Sequence, residues 1–225
     1  NGIKKFYLPN IDSQSINGML ELETQFPGVC FPMIGLHPCH VNSSYEKELD
    51  ITKYWLEKRS FCAIGEIGID LYWDKTYVKE QKIAFKTQIE WALAYNYPIV
   101  IHCREAFDEI YEILLSFKKL PKAIFHCFSG NLEQANKIIN LGNFKLGIGG
   151  VVTFKNAGLD KVVEQVPLEH LVLETDAPYL APQPFRGKRN EPSYILEIAR
   201  KIAEIKNLSM REVEQITSVN AQFVF

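Results

Sequence analysis

Short apolar, β-branched runs alternate along the whole chain with stretches in which apolar residues recur every three or four positions. Seven runs read as strands: 3–8, 29–36, 61–65, 99–102, 123–126, 144–148 and 171–174. Runs without polar interruption are expected of parallel strands covered on both faces. Between them, 78–95 is the clearest helix, with Phe85, Ile89 and Leu93 on one stripe. The segments 105–117, 132–141 and 159–166 fill the next three gaps in the same way. A proline-rich segment over 177–192 is longer than most connections and reads as a functional loop. Pro192 suits the first position of a closing helix, and Ser209 with Glu212 has the spacing of a capping box at the start of a last one.

Both an open doubly wound sheet and a closed barrel fit this alternation. An open sheet gathers its functional groups at one switch point, whereas in a barrel the ends of many strands each contribute one. Glu66, His102, His126 and Asp176 mark the ends of separate strands. That distribution predicts an α/β protein of the TIM (β/α)8 barrel class, with a single domain over 1–225.

Composition narrows the options. The chain has 225 residues, 47% hydrophobic and 23% charged, which suits a globular domain and excludes disordered and fibrous classes. A formal charge of −2 argues against a protein that coats polyanions, so any nucleic-acid contact must come from a local basic patch. Five scattered cysteines without a C-x-x-C pair predict a reducing compartment, and with no apolar run of membrane length a cytoplasmic protein is expected. No feature calls for a protein partner, and a monomer is the simplest state.

His102 ends Pro98-Ile-Val-Ile and His126 ends Ala123-Ile-Phe, so one design recurs a βα unit apart. Asp176 follows the last strand, and Glu66 sits between Gly65 and Gly68. Taken singly, each has an ordinary structural explanation; together, two imidazoles and two carboxylates suit Zn, Mn or Mg ions. Such a set points to hydrolysis, with Glu66 bridging two ions and Asp176 holding one and taking a proton from the attacking water. Arg104, Arg186, Lys188 and Arg189 are candidates for phosphate oxygens, and Tyr72 and Trp73 for a base. Cys103 and Cys127, each next to a proposed ligand, read as core thiols turned away from the barrel mouth.

Six segments, Gly35-Leu-His-Pro38, Gly65-Glu-Ile-Gly-Ile-Asp70, Ile101-His-Cys-Arg-Glu105, Phe125-His-Cys-Phe-Ser-Gly130, Leu173-Glu-Thr-Asp-Ala-Pro178 and Arg186-Gly-Lys-Arg-Asn-Glu-Pro192, resemble in order the signature blocks of the TatD-type metal-dependent deoxyribonucleases. The resemblance implies an amidohydrolase-like barrel that cleaves DNA phosphodiesters, as an exonuclease-type enzyme, using two divalent ions. It implies Glu66 as the bridging ligand, His102 and His126 on one ion, and Asp176 on the other and near the nucleophilic water. His37 would line the substrate pocket, and Arg104 with 186–191 would meet phosphate. The chain departs from the family in two places. Cys39 stands where a second histidine usually follows His-Pro, and the family's opening Asp-Thr-His-x-His strand has no counterpart, because 3–8 corresponds to the second strand. The first βα unit is therefore expected to lie upstream of Asn1. A chain truly lacking it would keep one metal position (Glu66, His102, His126) and little activity. The competing readings are a metal-dependent hydrolase of a small ester or amide, and a non-catalytic barrel that binds nucleic acid or protein.

Overall fold

Each of the seven apolar runs carries a strand in the computed structural model, which describes residues Gly2–Phe225. The chain divides into two units, 2–123 and 124–225. The first holds β1 (Phe6–Leu8), α1 (Ile16–Gln25), β2 (Cys30–Pro32), α2 (Tyr45–Lys58), β3 (Ile64–Asp70), α3 (Val78–Tyr95), β4 (Ile99–Arg104) and α4 (Phe107–Leu115). β5 (Ala123–Phe125) opens the second, followed by α5 (Leu132–Ile139), β6 (Phe144–Ile148), α6 (Leu159–Gln165), β7 (Leu171–Leu173), α7 (Ile195–Lys206) and α8 (Met210–Val224).

In the first unit β1 pairs with β2 and β3 with β4, all parallel. All seven residues of β3 are buried, including the two carboxylates Glu66 and Asp70. The strand runs further than the sequence pattern suggests. Its register against β4 slips between Ile64 and Ile67, so a bulge at Gly65-Glu66 bends the strand and lets it resume to Asp70. Glu66 therefore lies inside β3, and Asp70 is the residue at its end. Further along, Gly68 pairs with His102, where any Cβ would collide with the His102 carbonyl oxygen. Glycine is what allows β3 to lie this close to the histidine. From α3, Gln88 accepts from Leu36 N–H at 2.7 Å and Gln81 accepts from Asp70 N–H at 2.9 Å, so the helix fixes the end of β3 and the segment after β2 that leads into His37. Leu36, Val41, Leu49 and Ala84 form a core cluster beneath them.

In the second unit β6 pairs in parallel with β7, and Ile124, Val172 and Val224 pack together with Ala221 and Phe225. Asn220 of α8 donates to the carbonyls of Leu168 and Leu171 at 2.9 and 2.7 Å, tying the last helix to the start of β7. Ser209 and Glu212 form the expected reciprocal capping box. Pro192 instead opens a 3-10 turn, Pro192–Tyr194, and α7 begins after it at Ile195. Helices α1 and α2 fall in gaps where the pattern is faint. Only Ile16 and Met19 of α1 are buried, and α2 buries Leu49, Thr52 and Leu56, one of them polar. No described helix is long and apolar enough to cross a membrane.

Candidate metal centre

Four imidazole and carboxylate groups meet in the first unit. His102 Nε2 lies 2.9 Å from Asp70 Oδ2, and His37 Nε2 lies 3.3 Å from Glu66 Oε2. The two rings stand edge to face, 4.4 Å between centroids. His37 also caps the 3-10 turn Pro38–His40: its Nδ1 accepts from Cys39 N–H at 3.1 Å, so Nε2 carries the proton that points at Glu66. Asp70 is 1% exposed. Burial alone would raise its pKa, but the His102 hydrogen bond and the N–H groups of Trp73 and Tyr72 outweigh it and hold the carboxyl well below its usual value. An ionised Asp70 makes His102 Nε2 the donor and leaves Nδ1 for a ligand, the pattern by which an outer carboxylate orients a metal-binding histidine. The Cys39 thiol also lies beside Asp70, and burial together with that negative charge pushes it up to about 12.

The loop after β3 hangs from the same carboxylate. Asp70 Oδ1 accepts from Tyr72 and Trp73 N–H, and the Arg104 guanidinium sits 3.8 Å over the Tyr72 ring and 5.3 Å from that of Trp73. Stacking occupies the flat face of the guanidinium and leaves its N–H edge for an anion.

The second unit builds around His126, directly after β5. Its Nδ1 lies 3.0 Å from Glu174 Oε2 and its Nε2 3.2 Å from Asp176 Oδ1. A ring facing an anion at each nitrogen is satisfied as imidazolium, or as neutral imidazole with a metal ion in place of one proton. Glu174 also accepts from Cys127 N–H at 2.7 Å, and its carboxylate covers Gly147, where a Cβ would overlap it. Cys127 and Asp176 both take left-handed backbone, φ +46° and +56°, uncommon for residues with a Cβ. Both sharp bends fall at functional groups. Arg186 and Arg189 are exposed; the Arg186 guanidinium lies 3.7 Å over Phe154. Beside them the buried Asn190 donates to the carbonyls of Thr175 and Tyr179, fastening the basic loop to the segment that carries Asp176.

The structure thus gathers His37, Glu66, His102, Tyr72 and Arg104 in one unit and His126 and Asp176 in the other, with Arg186 and Arg189 on the loop next to Asp176. Asp70, Glu174 and Asn190 join them, and the sequence reading does not single them out. Period-two spacing from Asp176 back to Glu174 is the available signal for one; the bulge in β3 conceals Asp70. The two cysteines differ from expectation. Cys103 and Cys127 are only partly buried, and Cys127 lies past the end of β5, where strand alternation no longer sets its direction.

Paired imidazoles and carboxylates at the ends of parallel strands define a metal-dependent hydrolase on an α/β scaffold. A homologue of TatD from Escherichia coli K12 superimposes over 100% of this chain and 87% of its own, with a TM-score of 0.93 at 28% identity. The family model described as TatD related DNase matches residues 1–225, and the chain belongs to that family. Its fold is accordingly the TIM-like barrel class. A metal-dependent hydrolase of Bacillus subtilis is 38% identical over 99% of this chain and 88% of its own length. A protein of Yersinia pseudotuberculosis named 3'-5' ssDNA/RNA exonuclease TatD is 30% identical over 100% of this chain and 88% of its own.

Proposed function

We propose that the chain is a divalent-metal-dependent deoxyribonuclease that removes nucleotides from strand ends, acting as a cytoplasmic monomer. The observation that carries the reading is His126 with a carboxylate at each ring nitrogen, a donor set that a cation completes. The Yersinia relative supports a nucleic-acid substrate. The ligands are Glu66, His102, His126 and Asp176, and the oxygen-rich, imidazole-containing set fits Mg, Mn or Zn, two in a complete site. When bound, such ions neutralise charge developing on phosphoryl oxygens and acidify water.

The protein's own groups do the rest. His37, with its Nε2 3.3 Å from Glu66 Oε2, orients that carboxylate and lines the pocket. Asp70 and Glu174 hold the rings of His102 and His126 at fixed angles. Asp176 accepts the proton of the attacking water at its carboxylate. Arg104, Arg186 and Arg189 pair with phosphate oxygens, and Tyr72, already stacked under Arg104, carries a base. In the test, a 5'-labelled single-stranded oligonucleotide is incubated with chelator-treated and metal-restored protein, beside a p-nitrophenyl ester and a phosphodiester of similar size. Stepwise shortening that chelator abolishes and metal restores, and that Glu66→Ala or His126→Ala removes, is expected. Metal-dependent turnover of the small ester alone would replace the nuclease reading with a small-molecule hydrolase.

A further inference from the structure

Cys39 is the second residue of the turn that His37 caps, and nothing in the hydrolytic scheme above uses it. One ring nitrogen of His37, one of His102 and the Cys39 sulfur all lie within 4.8 Å of one another. Tetrahedral coordination with bonds of about 2.0–2.3 Å needs donor separations of about 3.3–3.8 Å. Cys39 lies on an exposed turn with its thiol beside Asp70, and a χ1 change there adjusts the sulfur position without disturbing a core. The imidazoles already have outer carboxylates, Asp70 on His102 and Glu66 on His37. That arrangement raises ligand basicity and fixes ring orientation. The remaining nitrogen of His37 holds only the Cys39 N–H, a contact that a metal would replace.

We infer that His37, Cys39 and His102 form a metal position with two nitrogen donors and one sulfur donor, which selects a thiophilic divalent ion, zinc or cobalt(II), over magnesium at this place in the first unit. Thiolate and imidazole are donors for zinc-like ions, whereas magnesium keeps oxygen ligands and most of its water. On ligation the S–H bond breaks, an S–metal bond forms, and the proton leaves to water, so each ion bound releases one proton from Cys39. The inference shares His102 with the proposed function but does not depend on the substrate being DNA.

Cobalt(II) added to the metal-stripped full chain tests it, because thiolate ligation gives a ligand-to-metal charge-transfer band in the near ultraviolet that oxygen and nitrogen ligands do not. The wild type is expected to show that band at one equivalent, and excess magnesium to leave it unchanged. Cys39→Ser is expected to lose the band and to bind zinc at least tenfold more weakly; Cys39→His, to keep zinc binding without the band. An unchanged band in Cys39→Ser places the thiolate at another cysteine and overturns the inference. Cobalt that binds through its visible d–d bands and supports nuclease turnover, with no charge-transfer band, overturns it while leaving the proposed function intact. Absence of any cobalt binding overturns both.

Discussion

The first unit carries His102 inside β4, two residues before the end and not at the end as the apolar run suggests, and the second carries His126 just beyond β5; a carboxylate holds each, but the two arrangements are completed differently. In the first, Asp70 is buried and saturated: it accepts from His102, Tyr72 N–H and Trp73 N–H, and it stays ionised because those donors outweigh burial. His102 keeps one nitrogen for a ligand. In the second, His126 faces Glu174 and Asp176 at once, and Asp176 rests on a left-handed residue of a loop that Asn190 secures from outside. The first half is assembled by hydrogen bonds and is in order before a metal arrives. The second carries two anions around one ring, so a cation is part of its balance.

The largest effects should come from removing a proposed ligand in either unit. Glu66→Ala and His126→Ala are each expected to lower kcat/KM by two to three orders of magnitude, about the scale of losing one electrostatic stabiliser of a transition state. A loss confined to one unit's variant would mean that only that unit serves the reaction. Next come the outer carboxylates. Asp70→Asn and Glu174→Gln should each weaken metal binding about 10–100-fold, the usual cost of an outer partner. Calorimetric titration with manganese should find the greater loss for Glu174→Gln, since Glu174 is one of the two anions that face the His126 ring, whereas Asp70 is already matched by its own hydrogen-bond donors. The contrast between the halves fails if Asp70→Asn costs more.

Much of this is readable from sequence, and the reason lies in burial. Strands covered on both faces must be apolar throughout, so β4, β5, β6 and β7 announce themselves, and the polar residue that ends such a run stands out, as His102 and His126 do. Glu66 and Asp70 are harder. A bulge moves the end of β3 from Gly65, where the apolar run stops, to Asp70, and periodicity does not register an extra residue. Helix α2 escapes because a helix that lies mostly in solvent needs few apolar positions, and Thr52 fills one of them. Partners supplied from a distant stretch, such as Gln81 for Asp70 N–H and Asn190 for the Thr175 and Tyr179 carbonyls, depend on the completed fold and have no local signature.

The two close-approach glycines separate the halves by a smaller margin. At Gly68 an added Cβ meets backbone, the His102 carbonyl, at a φ of +148° that side chains rarely adopt; at Gly147 it meets the movable end of Glu174. Gly68→Ala should therefore destabilise by about 1–3 kcal/mol, as overpacking does, while Gly147→Ala costs less because the carboxylate can rotate away. Urea unfolding of the two variants checks the order. Gly147→Ala should nonetheless weaken manganese binding, since the rotated Glu174 no longer orients His126. Equal losses of stability would show that β3 and β4 have room at His102.

The smallest effect is expected from Asp70 as a stabiliser of the metal-free fold, and its sign follows from its depressed pKa. The folded chain keeps Asp70 ionised at pH values where an unfolded chain, with an aspartate pKa of about 3.9, begins to take up a proton. Its contribution is full above that value and disappears as pH falls through it toward the lower folded value. Asparagine at this position cannot titrate. In chelator, Asp70→Asn should be less stable than wild type by about 0.5–1.5 kcal/mol at pH 7, the net scale of one hydrogen bond, because the amide oxygen still accepts from the Tyr72 and Trp73 N–H groups. That gap should hold at pH 5 and narrow below about 3.9 as the wild type loses its charge. Urea midpoints at pH 7, 5 and 3.5 give the comparison. A gap that widens on acidification would mean that Asp70 is protonated in the fold and that His102 is not held by an anion, which would remove the preassembled character of the first unit.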